Sequence, residues 1–148
     1  MYDIVLIIHN IFRWVVLLFG VTALAAAFWG LLGRRVWTPL SRLLGVFFAA
    51  SLDVQVLIGL ILYIFLSPLT SAAFQNFGAA MADAAVRFFT LEHIFYMLVA
   101  VALVHIGNVL IRRAKSDTVK YRRATIWYSL TLLIILVAIP WWRLLFRV

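Results

Sequence analysis

Four long runs of apolar residues, separated by short polar segments, organise the chain. Each run is close to or above the roughly 20 residues that a helix needs to cross a bilayer. Charged residues, tryptophan or proline follow the runs, and these residue types end membrane helices. The pattern predicts an all-α integral membrane protein, a bundle of four transmembrane helices. The predicted helices cover about residues 4–33, 43–66, 87–111 and 125–142.

The segment between the second and third runs is rich in alanine. Phe74, Phe77 and Met81 recur in it at spacings of three and four, which places them on one face of a helix. An amphipathic helix of this kind lies along the membrane surface. We therefore predict a short interfacial helix over about residues 70–85, within a single membrane domain over residues 1–148.

The composition excludes a soluble globular domain. Of the 148 residues, 67% are hydrophobic and 12% are charged, whereas soluble domains have about 45–50% apolar and about 25% charged residues. The chain has no cysteine, which excludes disulfides, iron–sulfur clusters and the covalent attachment of a c-type haem. The lipid bilayer is therefore the first partner that the sequence predicts.

The formal net charge of +8 arises largely from two short connections between the apolar runs. Basic residues concentrate in cytoplasmic loops, and residues 67–86 contain none. We expect both termini and residues 67–86 outside the cell, although Arg143 and Arg147 slightly weaken this assignment. The charge therefore indicates topology rather than nucleic-acid binding. The connecting residues are Arg34, Arg35, Arg42, Arg112, Arg113, Lys115, Lys120, Arg122 and Arg123.

Two of the predicted helices carry a similar stripe of residues. Membrane helices approach each other at small residues, and polar residues within a membrane require partners. Both stripes begin with a histidine and continue with small or flexible residues, so we expect both to face the bundle interior. The first consists of His9, Arg13, Val16, Gly20, Ala23, Ala27 and Gly30, and the second of His93, Met97, Ala100, Val104 and Gly107.

His9 and His93 are expected at one depth. Each lies roughly 10 Å from the outer end of its helix at 1.5 Å per residue. Counted from the opposite ends, the depths differ, about 37 Å against about 28 Å, but the first run is long enough to tilt or project. Two imidazoles at one level in an apolar helix bundle are typical ligands of haem b. The sequence therefore predicts His9 and His93 as ligands of the haem iron.

The propionates of such a haem require cationic or hydrogen-bonding partners near the outer interface. Arg13 and Arg87 are the candidates, although Glu92 offers Arg13 an alternative ion pair. A membrane histidine is also often an interfacial residue that bonds a carbonyl group or a lipid headgroup. Arg13 can likewise extend its charge to the interface. These alternatives stay open in the sequence.

A second polar cluster is expected nearer the cytoplasm. His105 and Asn108 share a face of the third helix, and Asp53 lies at a depth that allows contact with His105. Such a pair can relay protons or bind a quinone head group, or the two side chains can simply satisfy each other. Gln55 is expected to form an interhelical hydrogen bond beside Gly59. With three histidines in the chain, at most one bis-histidine haem can form.

Short motifs in all four predicted helices are shared with a known family. They are residues 9–14 (HNIFRW), 55–59 (QVLIG) with 67–68 (SP), 87–93 (RFFTLEH), and 126–128 (IWY) with 139–141 (IPW). On these motifs the chain resembles short four-helix bacterial membrane proteins described as cytochrome b-like. The resemblance implies a plasma-membrane protein in which His9 and His93 form a polar pair with Arg13 and Glu92 as companions. Asp53 replaces a histidine common in that family, which argues against a ligand role there.

Three hypotheses of function follow. The first is a b-type cytochrome that passes electrons between a quinol and an acceptor on the outer side. The second is a structural or accessory subunit of a larger membrane complex, without a cofactor. The third is a quinone- or proton-handling subunit centred on Asp53 and His105. The sequence identifies no catalytic base or nucleophile, and the absorption spectrum separates the first hypothesis from the second.

Overall fold

The computed structural model describes residues 1–142 and is 87% helical, with no strand among these residues. Four long helices form an all-α bundle, which confirms the predicted fold class. The long helices are α1 (Tyr2–Leu32), α2 (Pro39–Ile61), α6 (His93–Arg112) and α7 (Asp117–Ala138). The short helices α3 (Pro68–Gln75), α4 (Phe77–Ala82) and α5 (Ala84–Arg87) connect α2 to α6, and π-helical segments extend over Leu62–Leu66 and Phe88–Glu92.

Four continuous helical segments are long and apolar enough to cross a membrane. They are Tyr2–Leu32, Pro39–Leu66, Ala84–Arg112 and Asp117–Ala138. The first three lie within four residues of the predicted boundaries. The second begins at Pro39 because the Thr38 hydroxyl caps it, accepting a hydrogen bond from the Ser41 amide at 3.1 Å, and proline is favoured in a first helical turn.

The fourth predicted helix is displaced. It begins at Asp117, about eight residues before the expected start, because the Ser116 hydroxyl caps it and Asp117 pairs with Lys120 at 3.0 Å. It ends at Ala138, since Ile139 is extended before Pro140, as proline disfavours a helical residue preceding it. The predicted range of 125–142 was therefore wrong at both ends.

The segment between the second and third spans is helical, but it does not form the single helix predicted over residues 70–85. The segment consists of three short helices that meet at Asn76 and Asp83. The Asn76 side chain accepts a hydrogen bond from the Ala79 amide, and the Asp83 carboxylate accepts bonds from the next helix. Side chains of this type favour helix N-termini over helix interiors, so each ends one helix and begins another. The exposed Phe74 and Phe77 therefore belong to different helices.

The four long helices pack in a ring. Helix α1 packs against α2 and α7, and α6 packs against the same two helices, so α1 and α6 face each other diagonally. The small residues predicted to face inward are buried, which confirms the two interior stripes. In α1 the buried residues are Val16, Gly20, Ala23, Ala27 and Gly30, and in α6 they include Ala100, Val104 and Gly107.

Candidate functional site

A cavity of about 330 Å³ lies in the half of the bundle where α1 begins. Cavities of roughly 300–1,000 Å³ are typical of small-molecule and cofactor sites. Its wall is mainly apolar and includes Met97, but His9, Arg13, Gln55 and His93 also contribute. The polar ends of both predicted stripes therefore line one cavity.

The two imidazole rings of this cavity lie close together. The ring centroids of His9 and His93 are 6.3 Å apart, and the ring planes meet at 72°. The two histidines come from the diagonal helices α1 and α6, so their side chains approach each other across the bundle centre. The two imidazoles therefore lie close to one level in the bundle.

The orientation of His93 is set by α7. Its Nδ1 lies 2.8 Å from the main-chain oxygen of Ala138, and a carbonyl oxygen can only accept a hydrogen bond, so Nδ1 carries the proton. In a neutral imidazole this leaves Nε2 as the unprotonated nitrogen. A histidine anchored through one nitrogen to a backbone carbonyl is the usual arrangement of a metal-ligating histidine.

His9 is held by two residues of α2. The Gln55 amide nitrogen donates to the His9 main-chain oxygen at 3.0 Å and lies 3.3 Å from His9 Nε2. Gly59 lies against the ring, since a Cβ at that position would be 3.1 Å from His9 Cε1. The predicted interhelical hydrogen bond of Gln55 is thus confirmed, and its partner is the site histidine. The shared face of Gln55 and Gly59, four residues apart, was the sequence signal for this role.

The buried atoms Nδ1 of His9 and Oε1 of Gln55 have no hydrogen-bond partner among residues 1–142. A buried polar atom left without a partner costs about 1–3 kcal/mol, so such atoms are uncommon in folded proteins. Both atoms are therefore available to a further hydrogen-bond partner in the cavity.

The charged residues predicted near the site have different positions. Arg13 lines the cavity, with its guanidinium 5.7 Å from the ring of Trp14. Arg87 lies beside a separate cavity, where it donates to Glu92 at 2.8 Å and to the main-chain oxygen of Met81 at 3.0 Å. The alternative pair of Glu92 with Arg13 was therefore wrong, because the wide π-helical turn over Phe88–Glu92 brings Glu92 back towards Arg87.

The second predicted cluster divides into two parts. His105 Nε2 lies 2.9 and 3.1 Å from the two carboxylate oxygens of Asp53, which confirms that these side chains meet. Asn108 instead donates to the main-chain oxygen of Gly45 at 3.1 Å and accepts from the Tyr128 hydroxyl at 2.8 Å. It therefore ties α6 to α2 and α7 inside the bundle, away from the ion pair.

Two hydrogen bonds beside the cavity were not predicted from the sequence. The Tyr63 hydroxyl donates to the main-chain oxygen of Thr90 at 2.6 Å, and the Thr70 hydroxyl donates to that of Tyr63 at 2.8 Å. Tyr63 and Thr90 lie in the two π-helical segments, and such segments are frequent at functional sites. Hydrophobic periodicity does not distinguish a π-helical turn from an α-helical one, so no sequence signal indicated these hydrogen bonds.

Comparisons with family models, with curated proteins and with solved structures find no match to this chain. The resemblance to cytochrome b-like proteins therefore stays a prediction. Residues 1–142 contain no group of three or more His, Cys, Asp or Glu side chains that could hold a metal ion. A haem iron differs from a bare ion because its macrocycle supplies the remaining ligands, so two axial histidines suffice.

Proposed function

We propose that this protein is a b-type haem protein of the bacterial plasma membrane that transfers electrons between a quinol and an acceptor on the outer side. The observation that carries the proposal is the pair of imidazoles from diagonal helices, His9 and His93, in a ligand-sized cavity. A cofactor-free accessory subunit is the competing function.

The spacing of the two rings fits one shared iron. If both imidazoles held one iron, metal–nitrogen bonds of about 2 Å would require the two rings to lie close together. The observed distance between the ring centroids is 6.3 Å. The 72° between the ring planes is compatible with this, because an imidazole can rotate about its metal–nitrogen bond.

The residues of the chain perform the remaining tasks. The Ala138 oxygen holds the tautomer and direction of His93, and Gln55 with Gly59 holds His9. Arg13, one helical turn from His9, supplies positive charge for a propionate. The apolar wall limits access of water. When bound, a haem supplies one-electron redox chemistry, and the protein tunes its potential through these ligands and their surroundings.

The absorption spectrum tests this function directly. The chain is expressed in a host supplied with haem precursor, purified in detergent, and measured in oxidised and reduced forms. We expect a Soret band and a reduced α band typical of low-spin haem b, at about one haem per chain. A colourless preparation from haem-replete cells would refute the proposed function and favour the accessory subunit.

The orientation of the chain is a second part of the proposal. We expect Met1 outside the cell, because nine basic residues lie in or next to the two connections at the opposite end of the bundle, and basic residues concentrate on the cytoplasmic side. A tag fused at Met1 should react with a membrane-impermeant reagent in intact cells. The four candidate spans place Met1 and Trp142 on the same side. Arg143 and Arg147, whose charge slightly weakens the orientation, lie outside the described residues. Labelling of Met1 only after cell lysis would contradict this orientation.

The Asp53→Asn substitution should leave the haem content unchanged. Asp53 contacts His105 and does not line the cavity that contains His9 and His93. The measurement is the ratio of haem to protein after purification, with wild type prepared in parallel. Loss of more than about half of the haem in a folded Asp53→Asn protein would contradict the assignment of the site to the His9–His93 cavity.

A further inference from the structure

The Asp53–His105 ion pair lies within the membrane-spanning segments. Asp53 is close to the centre of the segment Pro39–Leu66, and His105 lies seven residues before the end of α6 at Arg112. Ionisable side chains at this depth are rare, and they almost always face the bundle interior or a water-filled path. Burying this pair in the membrane is therefore costly unless its surroundings are polar or provide a partner.

This pair faces outward. The His105 side chain is 52% exposed and that of Asp53 is 39% exposed, and neither lines the two cavities described above. In a single chain surrounded by lipid, both side chains would therefore meet hydrocarbon. Ligand sites are concave, so an ion pair on an outer helix surface fits a protein partner better than a small ligand.

The residues around the pair form a surface that allows close helix approach. Asp53 and His105 each belong to a stripe with spacings of four, three and four, in which an alanine precedes the charged residue by three positions. Small residues next to polar ones are typical of helix contacts in membranes. Every member of both stripes is at least partly exposed. They are Val46, Ala50, Asp53 and Leu57 on α2, and Leu98, Ala102, His105 and Val109 on α6.

We propose that this surface, called here the Asp53–His105 face, is a twofold interface between two copies of this chain. Two copies with the same orientation in the membrane are related by an axis along the membrane normal. Rotation about this axis places the Asp53–His105 face of one copy against the same face of the other, so that α2 of one copy lies against α6 of the other. Asp53 of each copy then lies opposite His105 of the second copy at the same depth, and acids and bases alternate around the axis.

The hydrogen-bonding groups of the pair complement themselves in this arrangement. His105 uses Nε2 for both contacts to its own Asp53, and within residues 1–142 its Nδ1 has no hydrogen-bond partner. A carboxylate has about four acceptor positions, so Asp53 can accept a further bond. In the ion-paired state, with His105 protonated, both ring nitrogens are donors. In a twofold dimer the Nδ1 donor of one copy then meets the spare carboxylate acceptor of the other, which is the self-complementarity that such interfaces require.

Disulfide cross-linking between two differently tagged copies tests the interface. The natural chain has no cysteine, so Ala50→Cys in one copy and Val109→Cys in the other are the only thiols. Both positions lie about one turn from the pair towards the same end of the bundle, on the helices that the twofold axis brings together. The matched control replaces Val109→Cys with Leu133→Cys, an exposed position on α7. We expect oxidation in membranes to link the first combination at least tenfold more than the control.

A second set of variants links the dimer to the ion pair. The double variant Asp53→Leu with His105→Leu presents an apolar surface that tolerates lipid, and we expect at least tenfold less cross-linking, with unfolding temperature as the check on folding. The exchanged variant Asp53→His with His105→Asp keeps the alternation of charges and should still cross-link. Cross-linking of wild type at the control level, or equal cross-linking of the double leucine variant, would overturn the proposal. The proposal would also be overturned if wild type purified as a monomer and released one quinone per chain on extraction.

Discussion

If the proposed haem site is correct, replacing either His9 or His93 with alanine should abolish the six-coordinate low-spin spectrum. The two imidazoles come from diagonal helices and lie at a spacing that fits one iron. Loss of one of the two proposed ligands would leave a bound iron with a single protein ligand and no link between α1 and α6. Since even outer partners of metal ligands change affinity by about 10- to 100-fold, we expect bound haem to fall at least about tenfold. The measurement is haem per protein together with the oxidised and reduced spectra.

The matched control is His105→Ala, which removes the third histidine of the chain. Its ring contacts Asp53 outside the cavity, so the spectrum should be retained. A His9→Ala or His93→Ala protein with the full low-spin spectrum would contradict the axial assignment. Loss of the spectrum only in His105→Ala would move the site to the Asp53–His105 pair.

Replacing Gly107 with alanine destabilises the contact between α6 and α7. A Cβ at position 107 would lie 2.6 Å from Cβ and 2.9 Å from Cγ of Trp127. Trp127 Cβ is attached directly to the α7 backbone, so the helices must separate to relieve the overlap. Overpacking of this kind costs about 1–3 kcal/mol, which outweighs the roughly 1 kcal/mol helix propensity advantage of alanine over glycine. The loss is measured as a lower unfolding temperature in detergent.

Gly78→Ala provides the control for this substitution. A Cβ at position 78 would meet no atom within 4 Å, and Gly78 lies within the helix Phe77–Ala82. We therefore expect a neutral effect or stabilisation by up to about 1 kcal/mol. Equal destabilisation by the two substitutions would show that the close approach of Gly107 to Trp127 does not limit stability.

Much of the bundle could be predicted from the sequence because a bilayer imposes strong constraints. Every backbone polar group within hydrocarbon must be satisfied internally, so long apolar runs become helices. Small residues at helical spacing predicted which faces of α1 and α6 are buried. Capping residues determined the start of α7 and the breaks at Asn76 and Asp83. The predicted boundaries followed the hydrophobic pattern instead, and they missed these positions.

The sequence by itself determined the number of spans, the inward stripes and the polar residues that need partners. These properties depend on local composition and helical period, and both can be read from one stretch of sequence. Only the tertiary structure decided which partners those residues have. The arrangement of the helices around the ring brought His9 to His93 and Gln55 to His9, and turned Asp53 and His105 outward. Contacts between side chains of different helices depend on helix order, tilt and rotation. The hydrophobic period within one helix does not specify these properties.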